Sequence, residues 1–272
     1  MNIIKNKGYS KRCIFCKQDS SMSRTVEHII PESLGNKEHI LPAGVVCDRC
    51  NNYFALKIEK PLLELDYFRH ARFRNVIYNK EGRIPTIQAS CLPAKIIVEI
   101  ERNEEGKSIN ITREEDISKF INSVSTSNTL EVYYPEPSLP EGQVVSRFLG
   151  KVAIETLALT GLNIPGGIDE IVDKPGLDEL RNYVRIGSQR VNWTFHVRRI
   201  YPEDKVFYKE GRECEILHSF NLMYTKSQEL YLVLLLFGVE YCINMGGPEI
   251  DGYLEWLKQH EFKSPLRTEQ EK

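Results

Sequence analysis

The chain has 272 residues, of which 41% are apolar and 27% charged, and its net charge is −2. This composition is ordinary for a soluble globular protein and leaves room for one large domain or two modest ones, each with its own core. No run reaches the roughly 18 apolar residues of a membrane span, and the first residues lack the apolar stretch of a signal peptide, so we expect a cytoplasmic protein with no membrane partner.

The N-terminal quarter is predicted to contain two short strands and a helix. In chain order these are a strand over residues 25–30, a loop over 31–42, a strand over 43–46 and a helix from residue 48. The helix is indicated by Phe54, Ile58 and Leu62, which recur on one helical face. Pro61 is expected to kink or restart it, because proline lacks the backbone N–H that a helix interior uses.

The rest of the chain has no repeats and mixes strands with helices. Its expected elements are strands at 95–101, 131–134 and 192–201, a helix at 144–161, two or three strands within 217–244 and a last amphipathic helix around 250–257. Glu240 interrupts the longest apolar run, residues 231–243, which favours buried strands. We therefore predict an α+β chain in which residues 65–272 form a larger C-terminal domain with a mainly antiparallel sheet.

Charge is unevenly distributed along the chain. Residues 1–83 hold 15 Lys and Arg against 9 Asp and Glu, whereas the remainder holds 21 against 29. A basic segment is better suited to phosphate contact, although such a segment is often only a solvated face. Nucleic acid is therefore expected at the N-terminal part of the chain.

Four cysteines, Cys13, Cys16, Cys47 and Cys50, form two CxxC pairs. Each pair places two thiolates on one tight turn, and two such turns complete the tetrahedral site that Zn²⁺ prefers. Seven cysteines with four at this spacing fit a reducing cytoplasm better than a disulfide framework. We expect a structural zinc site, with four free thiols as the alternative.

Glu27 and His28 lie between the two pairs, and Asn51 directly follows the last cysteine. Phosphodiester hydrolysis needs an activated water and stabilisation of the negative charge that develops on phosphate. A neutral imidazole accepts a proton near pH 7, and a hard cation such as Mg²⁺ needs only one or two protein oxygens. Neighbouring strand residues face opposite sides, so Glu27 and His28 share one site only if the strand twists or ends there.

The runs CIFC, SRTVEHIIPESLGN and VVCDRCNNYF resemble the HNH endonuclease family, in its zinc-stapled branch with EHIIP followed by CxxCN. The resemblance covers about residues 13–60. It implies a ββα-metal nuclease domain over residues 1–64, with His28 as general base. It also implies one catalytic Mg²⁺ or Mn²⁺ held by Glu27 and Asn51.

The chain departs from this family in one place. Residues 41–46 contain no polar side chain, where the family usually has a central Asn that orients the catalytic His. Asn36, His39 or a backbone carbonyl could replace it, and the sequence leaves this role open. Asn52 and Glu59 are further groups that could approach the ion.

Two functions of different classes fit these residues. The first is a metal-dependent endonuclease acting on nucleic acid, most simply DNA, in which the C-terminal domain selects substrate, regulates or oligomerises. That layout suits a bacterial restriction or antiphage effector with an activating partner or ligand, and a homodimer would suit double-strand cutting. The second is a catalytically inactive zinc-stapled module that binds nucleic acid or protein. Glu27 favours the first function, and the missing central Asn favours the second.

Overall fold

The computed structural model describes residues 11–103, 105–127, 129–187, 193–202, 205, 207–209, 212–214 and 218–266. They belong to two compact units, one comprising residues 1–62 with 141–272 and the other residues 63–140. The division into domains of residues 1–64 and 65–272 stays a prediction. What the contacts show is that the segment after residue 140 packs with the N-terminal segment.

The N-terminal segment begins with a two-stranded antiparallel hairpin, in which β1 (Glu27–His28) pairs with β2 (Ile40–Leu41). A short 3₁₀ turn at Glu32–Leu34 lies in the connection. The strand predicted at 43–46 was wrong, because β2 already ends at Leu41. Gly44, with φ of +94°, turns the chain there, because only glycine adopts this conformation without strain.

The predicted helix follows as three consecutive helical segments. These are α1 (Asp48–Phe54), a π-helical stretch (Ala55–Glu59) and α2 (Lys60–Leu63). The wide π turn ends at Glu59, and the α-helix restarts at Lys60, one residue before Pro61, as the proline indicated. Phe54, Ile58 and Leu62 are fully buried, which confirms the predicted apolar face.

In the unit of residues 63–140, the described residues form a four-stranded antiparallel sheet and two α-helices. Its elements are α3 (Asp66–Arg74), β3 (Ile87–Leu92), β4 (Ile96–Arg102), β5 (Lys107–Asn110), α4 (Glu114–Thr126) and β6 (Glu131–Tyr133), with sheet order β5-β4-β3-β6. Buried and exposed residues alternate along β3, so one face of this sheet carries the core of the unit.

The described residues in the C-terminal part of the other unit form four α-helices, a four-stranded antiparallel sheet and a two-stranded hairpin. Its elements are α5 (Gln143–Gly161), α6 (Gly167–Asp173), α7 (Asp178–Ile186), β7 (Phe195–Arg199), β8 (Phe207–Lys209), β9 (Arg212–Cys214), β10 (His218–Tyr224), β11 (Leu230–Leu236), β12 (Val239–Asn244) and α8 (Asp251–Gln259). The strand order is β10-β11-β12-β7, with β8 and β9 paired separately. Residues 192 and 217, within the predicted strands, lie outside the described residues.

Helix α5 lies at the centre of its unit. It packs against the sheet of β10, β11 and β12 and also against β2 and the π-helical stretch of the N-terminal segment. Helix α8 covers the other side of the sheet, which explains why every residue of β12 is buried. The α+β class and the largely antiparallel pairing are confirmed, and the predicted helix at 144–161 is α5.

Candidate functional site

The four cysteine side chains meet at one point. Their sulfur atoms all lie within 4.8 Å of one another, with 3.6 Å between Cys16 Sγ and Cys47 Sγ. Four thiolates at about 2.3 Å from a tetrahedral zinc would be separated by about 3.8 Å. The cluster therefore fits a Zn²⁺ ion, as the two CxxC pairs predicted.

Local structure prepares these sulfurs for a metal. Cys47 is the N-cap of α1, and its sulfur accepts a hydrogen bond from the Cys50 backbone N–H at 3.4 Å. The hydrogen bond from the Cys50 thiol lowers the pKa of Cys13 to about 5. The pKa of Cys50 rises for the same reason. Zinc binding would replace this shared proton, since thiolates are the form that binds the metal.

Glu27 and His28 are the two residues of β1, and their environments differ. Glu27 is 3% exposed, whereas His28 is only half-buried. The His28 ring nitrogen Nδ1 is buried, and among the described residues it has no hydrogen-bond partner. The group that would orient the His28 ring therefore stays unassigned.

The Glu27 carboxylate meets a lysine that the sequence analysis did not single out. Lys151, on α5, lies 2.7 Å from Glu27 Oε1, 3.0 Å from Glu59 Oε1 and 2.9 Å from Glu155 Oε2. The lysine side chain is fully buried, which lowers its pKa, but the three carboxylates outweigh burial and hold that pKa well above its usual value. Burial in turn raises the pKa of Glu27 and, more strongly, that of Glu155.

Asn51 lies on α1 beside the chain that enters β1. Its amide nitrogen donates to the carbonyl of Val26 at 3.0 Å and to the hydroxyl of Thr25 at 3.3 Å. Asp48, one turn earlier, accepts hydrogen bonds from the backbone N–H groups of Arg24 and Thr25, both at 3.1 Å. The start of α1 therefore holds the residues that lead into Glu27.

Asn36 organises the connection between β1 and β2. It is fully buried, and its amide nitrogen donates to the carbonyls of Ile30 at 2.8 Å and His39 at 2.9 Å. Its oxygen accepts from the backbone N–H groups of Glu38 and His39. One side chain thus forms hydrogen bonds to four backbone groups behind β1.

His39 contributes its backbone to this arrangement, since its carbonyl accepts from the Ile29 N–H at 3.1 Å. Its ring packs on β10, with ring centroids 4.7 Å from Phe220 and 5.5 Å from His218. Among the other predicted candidates, Asn52 is exposed on α1, and Glu59 contacts Lys151.

Two side-chain oxygens, one on β1 and one on α1, accept no hydrogen bond from any described residue. Glu27 Oε2 is buried and has no hydrogen-bond partner among the described residues. Asn51 uses its amide nitrogen on the backbone, and no described residue donates to its amide oxygen. A carboxylate oxygen and an amide oxygen are ligands that Mg²⁺ and Mn²⁺ accept.

Sequence reasoning missed Lys151 and Glu155 because both lie far from the cysteine motifs. A signal was present, since two charged residues spaced i, i+4 lie in the most apolar helix of the chain. Such a pair is expected to be buried only when it has partners, and here the partners lie on β1 and in the π-helical stretch.

Comparison with known proteins gave one result. Residues 13–64 match the family model described as HNH endonuclease. A search of curated proteins and a search of solved structures found no match. None of the described helices is long and apolar enough to cross a membrane. The cysteine cluster, the β1–β2 hairpin and α1 all lie within the matched segment, so residues 13–64 of this chain are similar to the HNH endonuclease family.

Proposed function

We propose that the protein is a metal-dependent endonuclease that hydrolyses nucleic-acid phosphodiester bonds, with DNA as the first expected substrate. The observation that carries this proposal is the position of Glu27 and His28 on β1, inside the segment that matches the HNH endonuclease family. Family nucleases act on phosphodiesters, and the donor set at β1 suits the hard cation that this chemistry uses.

His28 would act as the general base and take the proton from the attacking water. Its ring is half-buried, and its backbone is paired with Ile40 in the β1–β2 hairpin. This suits the role, because a base must be accessible and held in place. Glu27 and Asn51 would hold one Mg²⁺ or Mn²⁺ through oxygen. When bound, such an ion stabilises the charge that develops on the phosphate and on the leaving oxygen.

The zinc at the four cysteines would be structural. All four thiolates would serve as ligands, so no position would stay open for water or substrate. The cluster instead joins the turn at Cys13 to the start of α1, which carries Asn51. A restriction or antiphage role with an activating partner, and a homodimer that cuts both strands, extend this proposal by analogy with other small nuclease domains on larger chains.

Neighbouring asparagines on α1 provide the test. Zinc-loaded wild type, Asn51→Ala and Asn52→Ala are incubated with duplex DNA, single-stranded DNA and RNA, each with Mg²⁺ or Mn²⁺. We expect cleavage by wild type and Asn52→Ala and at least a 10-fold slower rate for Asn51→Ala. Equal cleavage rates for all three proteins would show that Asn51 is not part of the catalytic site. Binding without cleavage on every substrate would favour the inactive module.

A further inference from the structure

We propose that Lys151, which lies outside the HNH segment (residues 13–64), is a positioning residue of the nuclease site. It holds one oxygen of Glu27, so that the other oxygen stays directed at the divalent ion. This inference rests on the proposed function. It assigns part of the active site to α5, and so makes residues 141–161 a component of the nuclease and not only an attachment to it.

The ammonium group of Lys151 occupies a cage of oxygen atoms. Three carboxylates lie between 2.7 and 3.0 Å away, and the carbonyl of His28 lies at 3.2 Å. An ammonium has three N–H donors, so these acceptors satisfy it completely without water. A lysine with no exposed surface and this many partners has a single defined position.

The cage holds Lys151 from its own helix. Glu155 is one turn further along α5 and is also fully buried, so this pair forms without any contribution from the HNH segment. Glu59 adds a second carboxylate from the π-helical stretch. Lys151 can therefore stay in place while Glu27 binds an ion. This distinguishes a residue that positions Glu27 from one that must leave before the ion binds.

The Glu27 carboxylate is left with one free oxygen. Oε1 contacts the ammonium at 2.7 Å, whereas Oε2 is buried without a hydrogen-bond partner among the described residues. A buried unpaired carboxylate oxygen is unfavourable unless a cation or a proton joins it. Holding one oxygen of a metal ligand with an outer hydrogen bond is a general way to orient it.

Lys151 also contacts the backbone of the proposed base. Its ammonium donates to the His28 carbonyl at 3.2 Å, so the same group fixes Glu27 by its side chain and His28 by its main chain. Lys151 Nζ on α5 therefore contacts both Glu27 and His28.

The test measures Mn²⁺ affinity in the zinc-loaded full chain, by the paramagnetic resonance signal of free Mn²⁺. The double variant Lys151→Met/Glu155→Gln removes one positive and one negative charge, so the net charge of the buried cluster is unchanged. Asp116→Asn/Lys119→Met is the matched control, because it removes a 2.7 Å pair spaced i, i+3 on α4. Zinc content and thermal unfolding are followed in each protein.

We expect Mn²⁺ to bind the Lys151→Met/Glu155→Gln variant about 10-fold more weakly, with one zinc retained, and the control to bind like wild type. Unchanged Mn²⁺ affinity would show that Lys151 only forms a structural ion pair. Tighter Mn²⁺ binding would show that Lys151 blocks the ion site. Either result overturns the inference. If the double variant loses zinc, Glu155→Asp replaces it. That change keeps every charge but shortens the support of Lys151, and a severalfold loss of affinity is expected.

The proposed function can fail separately. Wild type that binds Mn²⁺ but cleaves no nucleic acid would contradict the nuclease. Weaker Mn²⁺ binding by the double variant would still show that Lys151 positions Glu27. Wild type that cleaves, together with a variant of unchanged Mn²⁺ affinity, would refute only the role of Lys151.

Discussion

The guanidinium of Arg181 donates a hydrogen bond of 2.7 Å from Nε to the backbone carbonyl of Ile14. Arg181 lies on α7 and its side chain is 2% exposed, while Ile14 is within the first CxxC turn and fully buried. The same side chain donates to the carbonyls of Ile171 and Lys174. The turn that carries Cys13 and Cys16 is therefore packed onto the C-terminal helices of the same unit.

Arg181→Met is expected to destabilise the fold by about 3 kcal/mol, because the buried carbonyl of Ile14 would lose its donor and that of Ile171 one of its donors. Chemical denaturation followed by circular dichroism measures this. Arg185→Met, on the same helix but only half-buried, is the control and should change stability by less than about 0.5 kcal/mol. Equal effects of the two substitutions would show that the buried hydrogen bonds contribute little.

Removal of zinc should unfold the N-terminal segment. Four thiolate ligands tie the turn at Cys13 to the start of α1, and a structural zinc site contributes on the order of 10 kcal/mol to folding. We expect one Zn²⁺ per chain by atomic absorption in wild type and none in Cys50→Ala, together with a large fall in Tm. Cys242→Ala, in the buried strand β12, should retain its zinc. Zinc loss from both variants, or from neither, would contradict the assignment of the site.

Asn36→Ala should lower the free energy of unfolding by about 3 kcal/mol, since four backbone groups would each lose one hydrogen bond. Cleavage should fall with it, because the connection behind β1 would no longer be fixed, whereas zinc content should not change. Asn122→Ala, exposed on α4, is the control. Full activity of Asn36→Ala at a temperature where it is folded would show that this loop does not position the site.

The carboxylate of Asp48 should contribute to the same region from the other side. Hydrogen bonds from Thr25 and Arg24 keep the pKa of Asp48 below its usual range, so the group is ionised at pH 7. Asp48→Ala is expected to lower Tm by about 2–4 °C. Asp66→Ala makes the same change at the first residue of α3, and a shift as large as that of Asp48→Ala would remove the special role of the loop contacts.

The motifs of the N-terminal segment could be predicted from sequence because each depends on local spacing. The CxxC pairs fix two sulfurs on one turn, and the repeat of Phe54, Ile58 and Leu62 fixes a helical face. The second strand was placed wrongly because residues 43–46 are as apolar as a strand. Only the backbone conformation of Gly44 shows that the chain turns there.

The contacts that support the site could not be predicted, because they join distant parts of the chain. Asn36 was one of three candidates for the open role, and its four backbone partners become evident only once β1 and β2 are paired. Lys151 is more than 120 positions from His28, and no local pattern connects them. The packing of α5 on β2 is what brings them together.

The central claim is that His28 is the base of a metal-dependent nuclease, and plasmid cleavage tests it most directly. Purified zinc-loaded wild type, His28→Ala and His260→Ala are compared with Mg²⁺ or Mn²⁺, and the zinc content of each is measured. His260 is exposed near the end of α8 and serves as the control. We predict cleavage by wild type and His260→Ala, a loss of at least 100-fold in His28→Ala, and one zinc in all three. Cleavage by His28→Ala at the wild-type rate would contradict the account.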